Sequence, residues 1–400
     1  MRLRSTFAAL LVAGAAFCAP GHAGPLEPFQ MVRSLQVLQD RIANGDHAAL
    51  PMQQKLLGII DERLRAAQPE NFADRRNLRA LLIYGLSGGN PKTLDMLFSK
   101  LKLEGEQAEL GNAVAQYARG DFLGARSVLR RIDPMELDPE VGPPMALVAA
   151  TVLATEDPRR AIGLLDDARL LSPGTLIEEA ALRRSIPIAA SLKDADRFTR
   201  AAEQYVRRFL RSPYAGQFAD SFVTAIVTLN ETVDLDVVED VTARMSREQA
   251  RVVFLRLARK SAIEGYNRLL VFASRKAKEY ADRDEGGEDP RAILYANMAS
   301  VTSSNVHEVL AALDGIDRQR LSAHDRELLD AALAVARAVL NRPPEASAGD
   351  TPPPARELDT ASGEAAPPAP ATLDPDEAYL RSMRGKLQAI DALLVKETSQ

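Results

Sequence analysis

Seven times between residues 90 and 290 a helix-capping residue is followed at once by proline: Asn90-Pro91, Asp133-Pro134, Asp138-Pro139, Asp157-Pro158, Ser172-Pro173, Ser212-Pro213 and Asp289-Pro290. Proline has no N–H for a helical ladder, so it suits a first turn and breaks an interior. Asn, Asp and Ser before it supply an oxygen to the orphan N–H groups of that turn. Between these marks apolar residues recur at spacings of three and four, the rhythm of a helix with one buried face. Strand signals are nearly absent; the best, Val223 to Val227, has helical flanks. The chain is therefore predicted to be all-α and built of many short helices.

A repeat runs through this pattern. The second helix of a tetratricopeptide unit carries a small residue, a large apolar one four later, a small one three later and a proline five later. Ala161, Leu165, Ala168 and Pro173 fit all four positions. Gly120, Phe122, Ala125, Leu129 and Ile132 fit the preceding turn and helix. Ala201, Tyr205 and Pro213 fit again, with Arg208 where a small residue is expected, and Gly265, Leu269 and Ala273 form a weaker copy. Small residues let neighbouring helices approach, and the large one fills the groove between them. Each pair leaves an apolar face that the next must cover, so the pairs stack. Thr175-x-x-Glu178 reads as a capping box opening the following helix. Pro173 and Pro213 are 40 residues apart, so the array is a degenerate tetratricopeptide-like superhelix. The competing reading is an irregular helical domain with chance Ala and Leu matches.

The ends read differently. Arg2 and Arg4, a 12-residue apolar stretch from Thr6 to Phe17 and the small-x-small site Gly21-His22-Ala23 have the form of a signal peptide over residues 1–23. The stretch is too short to cross about 30 Å of hydrocarbon as a helix, and no other segment reaches about 18 apolar residues, so no transmembrane segment is expected in the mature form. A lipid anchor on Cys18 would need a small residue where Phe17 stands. Cys18 is the one cysteine, so cleavage leaves a chain with neither disulfide nor thiol chemistry, which suits export to the periplasm. Residues 24–341 carry the helical pattern. Residues 342–375 are rich in proline, alanine and small polar residues and read as a disordered linker. Residues 376–400 return to an amphipathic helix in which Leu380, Met383, Leu387, Ile390 and Leu394 form a narrow seam. Two heptads do not hold alone, so the seam should dock on its own domain, a second copy or a partner.

Reactive chemistry is sparse. Gly85-Leu86-Ser87-Gly88-Gly89 has the G-x-S-x-G form of a hydrolase elbow, but that elbow needs a parallel sheet around it. A helix ending in Gly88-Gly89, with Asn90 capping the next, explains it better. His47, His307 and His324 lack metal-binding spacing, and no phosphate loop or dinucleotide fingerprint occurs. No catalytic residue, metal or cofactor is assigned. Taking Arg2 and Arg4 from 50 Lys and Arg leaves 48 against 55 Asp and Glu, a charge of −7 that disfavours nucleic acid. Candidate partner-binding residues are Arg207 and Arg208, which also suit a helix C-terminus, the turn bearing Tyr214 and Gln217, and the C-terminal seam. Asp282 to Asp289 reads as a solvated acidic loop.

Several blocks resemble a known family. Glu27-Pro28-Phe29-Gln30-Met31-Val32-Arg33-Ser34-Leu35-Gln36, Gly45-Asp46-His47, Ile60 to Ala66, Ser87 to Pro91, Ser172 to Ser185 and Arg207 to Asp220 are similar to the motility protein C (MotC) family of rhizobial and related alphaproteobacterial flagellar motors. The likeness covers most of residues 27–260 and loosens in the C-terminal third. It implies a periplasmic protein needed for flagellar rotation that binds the periplasmic part of the stator subunit MotB and positions or stabilises the stator. The family supplies no catalytic residues to carry over. The alternative from the residues alone is a general cell-envelope helical-repeat adaptor, with self-association possible. Either would offer an extended concave groove for a partner segment.

Overall fold

A computed structural model describes residues 26–281, 289–301 and 305–341. These residues form seventeen α-helices and two short 3-10 turns, with no strand among them, and Val223 to Val227 lies in a helix. In chain order the helices are α1 (Pro28–Ala43), α2 (Ala49–Ala66), α3 (Arg75–Leu86), α4 (Pro91–Leu101), α5 (Gly105–Ala118), α6 (Phe122–Leu129), α7 (Gly142–Leu153), α8 (Pro158–Leu171) and α9 (Leu176–Ser191). Then follow α10 (Ala195–Arg208), α11 (Ala215–Thr228), α12 (Leu235–Thr242), α13 (Arg247–Glu264), α14 (Asn267–Glu279), α15 (Pro290–Met298), α16 (Val306–Asp314) and α17 (Ala323–Leu340). None is long and apolar enough to cross a membrane. The signal segment, the linker, the C-terminal helix with Leu380, Met383, Leu387, Ile390 and Leu394, and residues 282–288 of the acidic loop lie outside the described residues.

The proline pairs do three jobs. Asn90, Asp157 and Asp289 are N-caps that accept from the N–H groups of Lys92, Arg160 and Arg291 at 3.0, 3.0 and 2.9 Å, with proline at the first helical position. Ser172 is the C-cap of α8 and Ser212 sits in the turn between α10 and α11, each leaving proline outside the helix. Asp133 and Asp138 shape the α6–α7 connection, accepting from the N–H groups of Met135 and Glu140 at 2.9 and 3.0 Å. Thr175 caps α9, accepting from the Glu178 N–H at 3.4 Å. The capping box, however, does not close: the Glu178 carboxylate accepts the Gly174 N–H instead and meets Arg208 at 2.8 and 2.9 Å.

Packing follows the apolar spacing. In α10 the buried residues are Phe198, Ala201, Ala202, Tyr205 and Val206, one stripe, while Arg207 and Arg208 face out. α7 is apolar except for the exposed Thr151, and Met145, Ala146, Ala149, Ala150 and Leu153 are wholly enclosed. The repeat positions Ala161, Leu165 and Ala168 are buried in α8, as are Leu269 and Ala273 in α14, but Phe122 stands 48% exposed. Aromatic rings knit α10 to α11: Tyr205 stacks on Phe218 at 4.0 Å, Phe218 lies 5.6 Å from Phe222, and Phe222 lies 5.5 Å from Phe198.

Most consecutive helices pair, and alternate helices stack into rows. One row is α1, α3 and α5; the other runs α7, α9, α11, α13, α15 and α17. The first row also folds back on the second, with α3 against α7 and α1 against α9. The turn after α1 completes this closure. Gly45, at φ +96, approaches the Arg211 backbone so closely that a Cβ there would sit 3.0 Å from its carbonyl oxygen. His47 Nε2 lies 3.1 Å from the same oxygen, and the Leu176 N–H donates to Asp40 at 3.3 Å. Over this N-terminal half the expected extended groove is therefore narrowed, because two rows face one another and fill most of it with side chains.

Candidate functional site

What remains between the facing rows is a cavity of about 360 Å³. Its apolar walls come from Ile83 and Leu86 of α3, Leu147 of α7, and Leu176 and Ile177 of α9. Its polar rim is Gln36 and Gln39 of α1, Ser87 at the end of α3, and Tyr214 and Gln217 at the start of α11. Arg183 and Arg184 of α9 are its charged groups; no carboxylate or histidine lines it.

The two arginines are adjacent in sequence and electrostatically unlike. Arg183 lies one turn beyond Glu179, which is completely buried, and makes a two-pronged contact with it: Nε donates to one carboxylate oxygen at 3.0 Å and a terminal nitrogen to the other at 3.1 Å. The Tyr205 hydroxyl donates to the same carboxylate at 2.8 Å. Burial, then the neighbouring Glu179 charge, pushes the Tyr205 pKa above its ordinary value, so the phenol stays a donor. Arg183 also donates to the Gln217 side-chain oxygen at 2.9 Å and covers the Tyr214 ring at 4.9 Å. Arg184 donates to the Thr151 hydroxyl, and no ion pair joins it to a carboxylate among the described residues. Burial, then the adjacent Arg183, lowers its pKa from the ordinary arginine value. Pro187, three residues on within α9, has no N–H to give the Arg183 carbonyl.

Of the sequence candidates, Tyr214 and Gln217 meet in this cavity. Arg207 is exposed on the last turn of α10, and Arg208 binds the chain's own Glu178. Ser87 reaches the rim but has no base beside it. Its glycine-rich turn is set by packing: a Cβ on Gly89 would lie 2.5 Å from the Tyr84 ring, and Gly88 has φ +88. His47 is spent on Arg211, and no three metal-ligating side chains gather among the described residues. Arg184, Gln36 and Gln39 were missed. The signal for Arg184 was present in α9, where Arg183 and Arg184 interrupt a stretch from Ala180 to Ala190 that is otherwise apolar but for Ser185; Gln36 and Gln39 in α1 had none.

Fold and cavity together define a class: an all-helical array of stacked pairs, closed over its N-terminal half around a small pocket rich in recognition groups. The family model for chemotaxis protein MotC matches residues 1–400. Chemotaxis protein MotC of Rhizobium meliloti (strain 1021) is 38% identical over 404 aligned residues, covering 93% of this chain and 93% of that protein. No solved structure matches. The chain belongs to the MotC family and is a chemotaxis- and motility-associated protein.

Proposed function

We propose that the protein is a periplasmic accessory factor required for flagellar rotation, which binds the periplasmic part of the stator subunit MotB and positions or stabilises the stator. The observation that carries this reading is membership of the MotC family along the whole chain. The form of residues 1–23 and the absence of cysteine beyond Cys18 support export. The wall around Tyr214 and Gln217 and the C-terminal seam are the surfaces assigned to the partner. Neither depends on bond-making chemistry: the wall offers hydrogen bonds and charge, and the seam offers the apolar residues of its sequence.

Deletion of the gene should leave flagella assembled but paralysed, and capture on the mature protein should retain the periplasmic domain of MotB. Repeating the capture without residues 342–400 apportions the affinity between the helical array and the seam. Normal swimming after deletion would overturn the proposal. Recovery of a different envelope complex with no stator subunit would favour a general adaptor instead.

A further inference from the structure

A charge count singles out the cavity between α1, α3, α7 and α9. Glu179 is fully buried behind the wall, and both of its oxygens are taken by Arg183. That pair is balanced. Arg184 remains, half-enclosed beside it, with the Thr151 hydroxyl as a neutral neighbour and no carboxylate in the lining. A guanidinium drawn out of water without a counter-charge is unfavourable, and burial lowers its pKa accordingly. Fully buried charges are rarely left unpaired, and a partly enclosed guanidinium is likewise stabilised by an anion beside it. The surroundings state which anion. The apolar walls suit a side chain rather than a hydrated inorganic ion, while Gln36, Gln39 and Gln217 supply neutral amides at the rim. Arg184 offers one uncompensated positive charge. A carboxylate brings one negative charge and matches the guanidinium fork, whereas a phosphate monoester brings about −1.5 to −2 and would leave an excess. About 360 Å³ falls at the small end of ligand pockets. It matches the volume of about two or three residues of extended chain and is smaller than one turn of a helix about 10–12 Å across.

We propose that this cavity binds a carboxylate carried by a short, apolar-flanked peptide segment of a partner protein, with Arg184 as the group that pairs the anion. The proposal concerns the cavity alone and stands whether the partner is MotB or another envelope protein. Two sources supply the same chemistry: the free C-terminus of a chain, or an internal Asp or Glu.

The test uses the full mature chain and four probes: acetyl-Leu-Ala-Leu with a free carboxylate, the same peptide as its C-terminal amide, acetyl-Leu-Glu-Leu-amide, and inorganic phosphate. Calorimetric titration should find at least one carboxylate peptide binding about tenfold or more tightly than the neutral amide. Tighter binding of the free acid assigns a chain terminus; tighter binding of the Glu peptide assigns an internal acidic residue. Arg184→Gln should abolish the preference for acid over amide, and Arg184→Lys should retain part of it. Arg184→Gln should also melt no lower than the parent, since it removes an uncompensated charge. The acid-to-amide comparison on the parent protein needs no variant, so a misfolded substitution leaves it intact. Equal binding of acid and amide, an unchanged preference in Arg184→Gln, phosphate binding in place of the peptides, or no carboxylate binding up to about 10 mM would each overturn the proposal.

Discussion

Asp61 organises the turn that a motif search mistakes for a nucleophile elbow. The Tyr84 hydroxyl donates to its carboxylate at 2.9 Å and accepts the Asn90 N–H at 2.8 Å. The Thr93 hydroxyl and Arg65 Nε donate to Asp61 at 2.6 and 2.9 Å. Burial raises the Asp61 pKa, but the hydrogen bonds from Thr93 and Tyr84, the Arg65 charge and the Asn90 amide outweigh it, and the pKa lies below the ordinary 3.8. Desolvation, helped by the Asp61 contact and opposed by the Asn90 N–H, pushes the Tyr84 hydroxyl up to about 12, so it is a donor at every relevant pH. The sign of the linkage follows from the depressed folded-state value. Asp61 stabilises the fold above its unfolded pKa, and that contribution is lost as pH falls through the lower folded one. Asp61→Ala should therefore cost about 1–3 kcal/mol in urea unfolding at pH 7, with the difference shrinking once the pH drops below 3.8. An equal cost at pH 7 and pH 2.5 would mean packing rather than charge holds the turn. Arg184 is the opposite case among single residues: it has the burial and lacks the counter-charge.

Among the elements, the α1–α2 hairpin closes the N-terminal half. Its turn packs on Arg211 across more than 160 residues of sequence, through Gly45 and the His47 ring, 164 positions from its acceptor. Gly45→Ala places a methyl group 2.7 Å from Arg211 Cβ at a positive φ that alanine disfavours. The expected result is a loss of about 1–3 kcal/mol, with faster hydrogen exchange in α1, α2 and the first turn of α9, and unchanged exchange in α13 to α17. A uniform acceleration along the chain would contradict a local clasp. The same hairpin marks where sequence reading stopped. Helix existence, the Asn90, Asp157 and Asp289 caps and the buried stripe of α8 were all legible, because each is decided within a few residues. Tyr214 and Gln217 were legible as an exposed turn. Their meeting with Gln36 and Ser87 was not, since it depends on which rows face each other, and no periodicity within one helix encodes that. Glu178 likewise reads as a capping-box partner for Thr175, and only the arrival of Arg208 from the next helix explains why it turns away. The structural placement of Leu380, Met383, Leu387, Ile390 and Leu394 lies outside the described residues, so the seam stands on its spacing alone.

Across the whole molecule, stability should be distributed unevenly, and the two rows say how. In an open array each unit rests on its neighbours in sequence, so opening can begin at either end and propagate inward. Here α7 and α9 have additional neighbours from the folded-back row, α3 and α1. α13 to α17 pack on helices near them in sequence, with no such second row. The core is nevertheless continuous, running from Met31 to Ala336 in one buried cluster. Continuity favours native-state order throughout, whereas unequal numbers of neighbours favour opening in parts. Native-state hydrogen exchange in low denaturant should therefore find the slowest amides in α7 and α9. Those of α16 and α17 should exchange about tenfold or more faster, through an opening that exposes less surface than global unfolding. Removing the α1 contact should bring α9 toward the behaviour of α13 and leave α17 where it was. If every helix instead exchanged through one transition with a single denaturant dependence, the facing rows would confer no local advantage, and the cavity between them would lose the rigidity that a preorganised carboxylate site requires.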